Sequence, residues 1–402
     1  MTTVHLKPHK EESLLRFHPW VFSGAIRSIE LDADYPHAQP QEGEIVKVLD
    51  CNGKTLGVGH YQIGSIAVRI LEFGVGELPN DFWKTRIAAA YGVRESLGLV
   101  TEENNTYRLI HGEGDFLPGL IVDVYADTAV IQAHSVGMHY HREEIAEAIV
   151  EAVAQVDKVY YKSDDTLPHK ANIQGDRVGY LIGGNRIEDK EFWAKENGLS
   201  FRIDWLRGQK TGFFIDQRDN RALLEQYAKD KDVLNMFCYT GGFSVYALRG
   251  GAKKVHSVDV SQKAVDLVRS NVAYNFGEDA PHEAFAEEAF EFMTKNTNTY
   301  DLIILDPPAF AKHRDAVKNA LRGYQRLNAK GIQSIRPGGI LFTFSCSQAI
   351  DKDMFRLAVF SAAAQVGRKV RILHQLHQPA DHPINIYHPE GEYLKGLVLQ
   401  IE

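Results

Sequence analysis

The 402 residues carry 45 Lys or Arg against 53 Asp or Glu, a net charge of -8, and 44% of the side chains are apolar. That length predicts two or three domains of a soluble globular protein, and no uninterrupted apolar run is long enough to cross a bilayer, so a membrane partner is not expected. The acidic balance argues against nucleic acid, but it is uneven: residues 309–395 hold 13 Lys or Arg against 6 Asp or Glu, so a local basic surface is open to phosphates.

Residues 1–72 read as short strands broken by glycine turns: "GEIVKVLD", a turn at "CNGK", then "TLGVGHY" and "SIAVRIL". They predict a small β-rich domain without a basic signature of its own. The opening residues lack an apolar stretch, so a cytoplasmic protein is expected. Residues 73–188 alternate a helix ("DFWKTRIAAAYGVRESLG"), strands ("GLIVDVYADTAVIQAH"), a second helix ("YHREEIAEAIVEAVAQ") and the strand "KVYYKS", a pattern that predicts a compact α+β domain.

From 189 to 402 apolar strands alternate with helices. "DVLNMFCY", "KVHSVDV", "YDLIILD" and "GGILFTFSC" are each followed by a helical segment, which predicts an α/β domain with a parallel sheet covered on both faces. In such sheets ligands bind outside the carboxyl ends of the strands. Residues Tyr239 to Gly242, Asp259, Asp306 and Cys346 each lie at such an end, so four separate regions point to one site.

Gly241 and Gly242 allow a tight strand-to-helix turn and close backbone approach to a ligand, but the stretch is not the dinucleotide GxGxxG. Asp259 ends the next strand, where a carboxylate can accept both hydroxyls of a ribose. Glu288, in "AEEAFEF", is placed to meet an exocyclic amine. The set suits a nucleoside-shaped ligand without a phosphate cradle. In "LDPPAF" two prolines hold the chain extended and leave Asp306 at the mouth of the crevice.

Three cysteines, Cys51, Cys238 and Cys346, lie far apart with no CxxC spacing, so neither a disulfide framework nor a cysteine zinc site is indicated. Cys346 in "FTFSCSQ" reads either as core filling at a strand end or as a nucleophile, and free cysteine is among the most buried residue types. Cys238 is expected to pack beneath the site, and Trp20 and Trp205 to be core or interdomain residues rather than base-stacking platforms. His374, His377 and His382 carry no metal-site signature, and no metal is expected.

"GQKTGFFIDQRDNR", "FCYTGGFSV", "SVDVSQKAVDLVRSN", "LDPPAF" and "FTFSCS" resemble, in this order, the class I S-adenosylmethionine-dependent methyltransferases. More closely, the chain resembles the bacterial 23S rRNA 5-methylcytosine methyltransferase family. "RFHPWVFSGAI" is similar to that family's N-terminal PUA domain, an RNA-binding β-barrel, "GEGDFLPGLIVDVY" to its central domain and "ADHPINIYHPEGEYLKGL" to its C-terminal end. The resemblance implies a Rossmann-like catalytic domain, S-adenosylmethionine as cofactor, RNA as partner and a homodimer as one assembly open to it. It places Asn235, Phe237, Tyr239, Thr240, Gly241 and Gly242 along the cofactor, Asp259 and Ser261 at its ribose and Glu288 near adenine. Phe214, Gln217 and Arg221 would close the cofactor pocket or help place substrate, with Asp306 and Pro307 beside the methyl donor. Pro308, Phe310 and Lys312 would meet the substrate. Lys162 stands where the family pattern leads one to expect arginine, and Glu288 where aspartate is usual.

On this footing Cys346 is the expected nucleophile. Carbon 5 of cytosine becomes nucleophilic only when a thiolate adds at carbon 6. Asp306 would act at the ring nitrogen as charge develops. Pro308 occupies the place where some RNA 5-methylcytosine enzymes carry a second cysteine, so the base that removes the carbon 5 proton is not identified. Two other readings stay open: methylation of a base nitrogen, which needs no cysteine, and a non-catalytic RNA-binding assembly factor.

Overall fold

The computed structural model describes residues 1–32, 37, 39–168, 173–184, 191–311 and 314–402. They form two compact units. The first is Met1–Glu191 with Asp204–Gly212 and Ala380–Gly391; the second is Phe192–Ile203 with Phe213–Pro379 and Glu392–Glu402. The expected break near 189 is therefore crossed twice by returning segments that no shift in composition marks. Long-range polar contacts hold them. Thr211 Oγ donates to the buried Asp123 carboxylate at 2.6 Å, and buried Arg94, paired with Asp115, reaches the Asp381 carbonyl at 2.8 Å.

Within the first unit, strands Thr3–Leu6, Trp20–Phe22, Ile26–Glu30, Ile45–Leu49, Thr55–Tyr61 and Ile66–Phe73 build a six-stranded sheet around Val4, Leu6, Val46, Val48, Val68 and Ile70. The "CNGK" turn joins Ile45–Leu49 to Thr55–Tyr61 as an antiparallel hairpin. A second sheet, of five strands from Thr106–His111 to Val178–Ile182, is packed by helices Phe82–Ser96 and Arg142–Ala152. Trp205 is buried and stacked on Tyr125. Lys162 donates to the Gly208 carbonyl at 2.6 Å, so its charge braces a returning segment.

The second unit carries a seven-stranded sheet: β1 (Asp232–Met236), β2 (Lys254–Asp259), β3 (His282–Ala286), β4 (Tyr300–Leu305), β5 (Ile335–Ser345), β6 (Val370–His377) and β7 (Lys395–Ile401). Their order is β3-β2-β1-β4-β5-β7-β6. β1 lies inside the sheet between β2 and β4, with Val233, Leu234 and Met236 wholly buried, each contributing roughly 1.5–3 kcal/mol. Helices α1 (Arg218–Glu225), α2 (Gly242–Arg249), α3 (Gln262–Phe276), α4 (Ala289–Lys295), α5 (Val317–Ser334) and α6 (Lys352–Val366) accompany the strands.

The sheet differs from the all-parallel expectation at one strand. β7 pairs antiparallel with both β5 and β6. Parallel strands need a crossover, commonly helical; the link from β6 to β7 has only the short turn Pro389–Gly391, and the chain returns antiparallel. As a result β7 begins at the carboxyl end of β5, with Lys395 opposite Ser345.

Candidate active site

The ends of β1, β2, β4 and β5 supply the candidate residues. After β1 the backbone turns sharply: Phe237, Tyr239 and Gly241 have φ of 59°, 46° and 78°. For bulky Phe and Tyr this left-handed region costs of order 1–3 kcal/mol each, a strain concentrated at functional turns. Gly241 could not be otherwise, because an added Cβ would lie 1.8 Å from Val268 Cγ2.

Asp259 holds that turn from β2. Its two carboxylate oxygens accept the Tyr239 N–H at 3.1 Å and the Ser261 N–H at 3.0 Å. Ser261 in turn caps α3 through the Ala264 N–H. A half-buried carboxylate oriented by two backbone donors is an acceptor pair suited to a vicinal diol, so the donor set fits the nucleoside part of S-adenosylmethionine. Val260, next in the chain, is 74% exposed and offers an apolar face beside it. Sequence reasoning passed over Val260; its signal was an apolar residue directly after a strand-ending carboxylate.

Several predicted residues face inward. Asn235 donates to Ser244 Oγ at 2.9 Å within a buried chain that continues to Ser257 and His282. Thr240 is buried, its carbonyl held by Asn271 at 2.8 Å. Arg221 is buried and forms a bidentate pair with Glu196 at 2.9 and 2.7 Å, while its remaining nitrogen holds the Phe214 carbonyl at 2.9 Å. Its guanidinium thus fixes the turn that carries Phe214, whose ring meets Tyr239 edge-on at 5.1 Å. Gly242, which opens α2, leaves room for Arg221, since a Cβ there would come within 2.9 Å of Arg221 Cδ. Glu288 is exposed and caps α4 by accepting the Glu291 N–H at 3.0 Å. Cys238 is buried, and burial with the nearby Asp259 charge drives its thiol far above the ordinary range. It is packing, as expected.

At β4, Asp306 accepts a hydrogen bond from Gln217 Nε2 at 3.1 Å, and Asn220 orients Gln217 at 2.7 Å. Pro307 is buried and Pro308 exposed. Phe310 packs on Tyr324 with ring centroids 4.6 Å apart. The Ala311 N–H then donates to Ser347 Oγ at 3.2 Å, and Ser347 Oγ pairs with Tyr324 OH at 2.9 Å. Ser347 therefore ties the loop after Asp306 to the loop that carries Cys346, which is partly exposed at the end of β5. Lys312 lies outside the described residues. The buried Lys395 also reaches this loop, donating to the Ser347 carbonyl at 2.7 Å and the Ile350 carbonyl at 2.5 Å. Nothing in the local sequence marked Ser347 or Lys395.

His374 pairs with Tyr227 OH, His377 with the Gln378 carbonyl and His382 with Asp381. Among the described residues the ligand-type atoms that do converge belong to His18, His388 and Glu390. There the Trp20 N–H donates to His18 Nδ1 and the Trp20 ring stands edge-on to His388, closing an aromatic corner of the first unit. No helix among the described residues is long and apolar enough to cross a membrane.

Known proteins resemble the chain over nearly all of its length. Residues 164–391 match the S-adenosylmethionine-dependent methyltransferase family, and residues 4–73 match a PUA-like domain. The chain is 39% identical over 404 residues to the ribosomal RNA large subunit methyltransferase I of Tolumonas auensis, covering 99% of both chains. It is 40% identical over 403 residues to that of Pseudoalteromonas atlantica, again covering 99% of both. Among solved structures it superimposes on an S-adenosylmethionine-dependent methyltransferase from Streptococcus mutans with a TM-score of 0.81 at 22% identity, and on a methyltransferase complexed with SAH with a TM-score of 0.82 at 22% identity. Both alignments span 100% of each chain, a likeness of fold.

Proposed function

Since the chain belongs to the ribosomal RNA large subunit methyltransferase I family of S-adenosylmethionine-dependent enzymes, we propose that it methylates carbon 5 of a cytosine in 23S rRNA through a covalent bond to Cys346. The observation that carries this reading is the pair of hydrogen bonds through Ser347, which couples the Asp306 loop to the loop of a partly exposed thiol at a strand's carboxyl end. A nitrogen methyltransferase has no use for a thiol placed there.

In the reaction, the Cys346 thiolate adds to carbon 6 of a cytosine taken out of its stack, and carbon 5 gains enamine character. S-adenosylmethionine, when bound, supplies the electrophilic methyl group to that carbon. Asp306, oriented by Gln217, meets the ring nitrogen with a proton or hydrogen bond as charge builds there. Loss of the carbon 5 proton to a base then returns the electron pair, and the sulfur is expelled from carbon 6 to restore the aromatic ring. Asp259 and the Tyr239 turn hold the nucleoside of the cofactor, with Phe214 closing over it. Residues 1–72 form the RNA-binding domain, 73–188 with the returning segments Asp204–Gly212 and Ala380–Gly391 the central one, and the rest of 189–402 the catalytic one, with Pro308 and Phe310 toward the base, in a protein that acts in the cytoplasm.

A fluorine at carbon 5 cannot leave as a proton. RNA carrying 5-fluorocytosine at the target should therefore accumulate as a covalent complex that survives denaturing electrophoresis and requires S-adenosylmethionine. Cys346→Ala should form no such complex and transfer no methyl, yet bind cofactor normally. An active alanine variant and no covalent band in the wild type would mean nitrogen methylation. Nucleoside mass spectrometry of rRNA from cells with and without the gene names the modified base.

A further inference from the structure

Lys395 is an unusual residue for its surroundings. It opens β7, is only 7% exposed, and spends two of its N–H groups on the carbonyls of Ser347 and Ile350, in the turn that follows Cys346. The antiparallel entry of β7 puts it there, directly across from Ser345. An ammonium ion costs several kcal/mol to bury unless acceptors and a countercharge meet it. The two carbonyls supply acceptors, the first of them on the residue next to Cys346, and the Cys346 sulfur acts on Lys395 more strongly than the Glu392 and Asp351 carboxylates do.

We propose that Lys395 is the positioning residue of the nucleophile, holding the 347–350 turn through its two carbonyl contacts and stabilising Cys346 as a thiolate. The proposal rests on Cys346 as nucleophile and deepens that reading. A cation beside a thiol favours the charged form and lowers its proton affinity. Lys395 itself is brought down to about 8 by burial, against the pull of Cys346, Glu392 and Asp351, so it remains mostly charged at neutral pH. Other groups face the pair. Tyr324 approaches Cys346 from α5 with its hydroxyl on Ser347, and burial raises that phenol, which stays neutral. Lys352, Asp353 and Arg356 of α6, His377 of β6 and Glu392 line the same cavity as Lys395.

The test reads the thiol directly. The rate of iodoacetamide alkylation at Cys346 is followed against pH by peptide mass spectrometry, on full-length protein in a Cys51→Ser background and without RNA. In the wild type the midpoint should fall below about 8.5, the ordinary cysteine value. In Lys395→Met it should rise by about 1–2 pH units, the range for loss of a neighbouring opposite charge, and methyl transfer at pH 7 should fall at least tenfold. Lys395→Arg should keep the midpoint near that of the wild type. Unchanged S-adenosylmethionine affinity shows that each variant is folded. A midpoint unmoved in folded Lys395→Met overturns the proposal. So does a wild-type midpoint at or above 8.5, which can be read even if the methionine variant does not fold. Because alkylation involves no methyl transfer, this result stands apart from the 5-fluorocytosine experiment: a shifted midpoint with an active Cys346→Ala would refute the nucleophile and leave the ion pair.

Discussion

Replacing Asp259 by alanine should uncouple cofactor binding from the rest of the chemistry. The side chain is fixed before any ligand arrives, because opposite carboxylate oxygens accept the Tyr239 and Ser261 N–H groups at 3.1 and 3.0 Å. Its remaining acceptor capacity is what a ribose diol would use. Hydrogen bonds to a charged group are worth about 1.5–3 kcal/mol, so alanine should weaken S-adenosylmethionine binding by roughly 10- to 150-fold. Asparagine keeps one acceptor oxygen and should lose about half of that free energy. The same substitution frees the Tyr239 N–H in a residue held at φ 46°, so the alanine variant should also melt slightly lower without ligand. Isothermal titration of the full chain with S-adenosylmethionine gives the affinities, and thermal melting without cofactor checks the fold. An alanine variant that binds as tightly as the wild type would refute the placement of the ribose on β2.

Glu196→Ala should leave the buried Arg221 charge uncompensated and cost about 3–5 kcal/mol, measured by denaturant unfolding of the second unit; a loss below 1 kcal/mol would show that Arg221 finds another partner. Acid should destabilise the protein through a half-buried histidine. His282 is held down to about 4, first by burial and then by neighbouring positive groups. The unfolded chain takes up this proton first, so the stability it allows is full above about pH 6.5 and is lost as pH falls to about 4, on the order of 3 kcal/mol. Melting temperatures between pH 7 and 4.5 should fall accordingly, and less steeply for His282→Asn; an equal slope in that variant would contradict the assignment.

The sequence by itself determined the order of strands and helices and the four strand ends that meet at the site. Local signals carry those features: apolar runs set β1, β2, β4 and β5, and Gly241, Asp259, the two prolines after Asp306, and Cys346 mark where each of these strands stops. The family resemblance came from the same short motifs, and the comparisons bear it out over 99% of the chain. What the tertiary structure decided is how each polar side chain is used. Asn235 and Arg221 sit in motif positions, yet they turn inward because Ser244 and Glu196 offer buried partners that no local pattern reveals. The direction of β7 likewise follows from a connection with no helical crossover, and only that reversal brings Lys395 beneath the Cys346 loop. Strand periodicity is a property of neighbours in sequence; the partner of a buried charge is chosen by packing, among residues far apart along the chain.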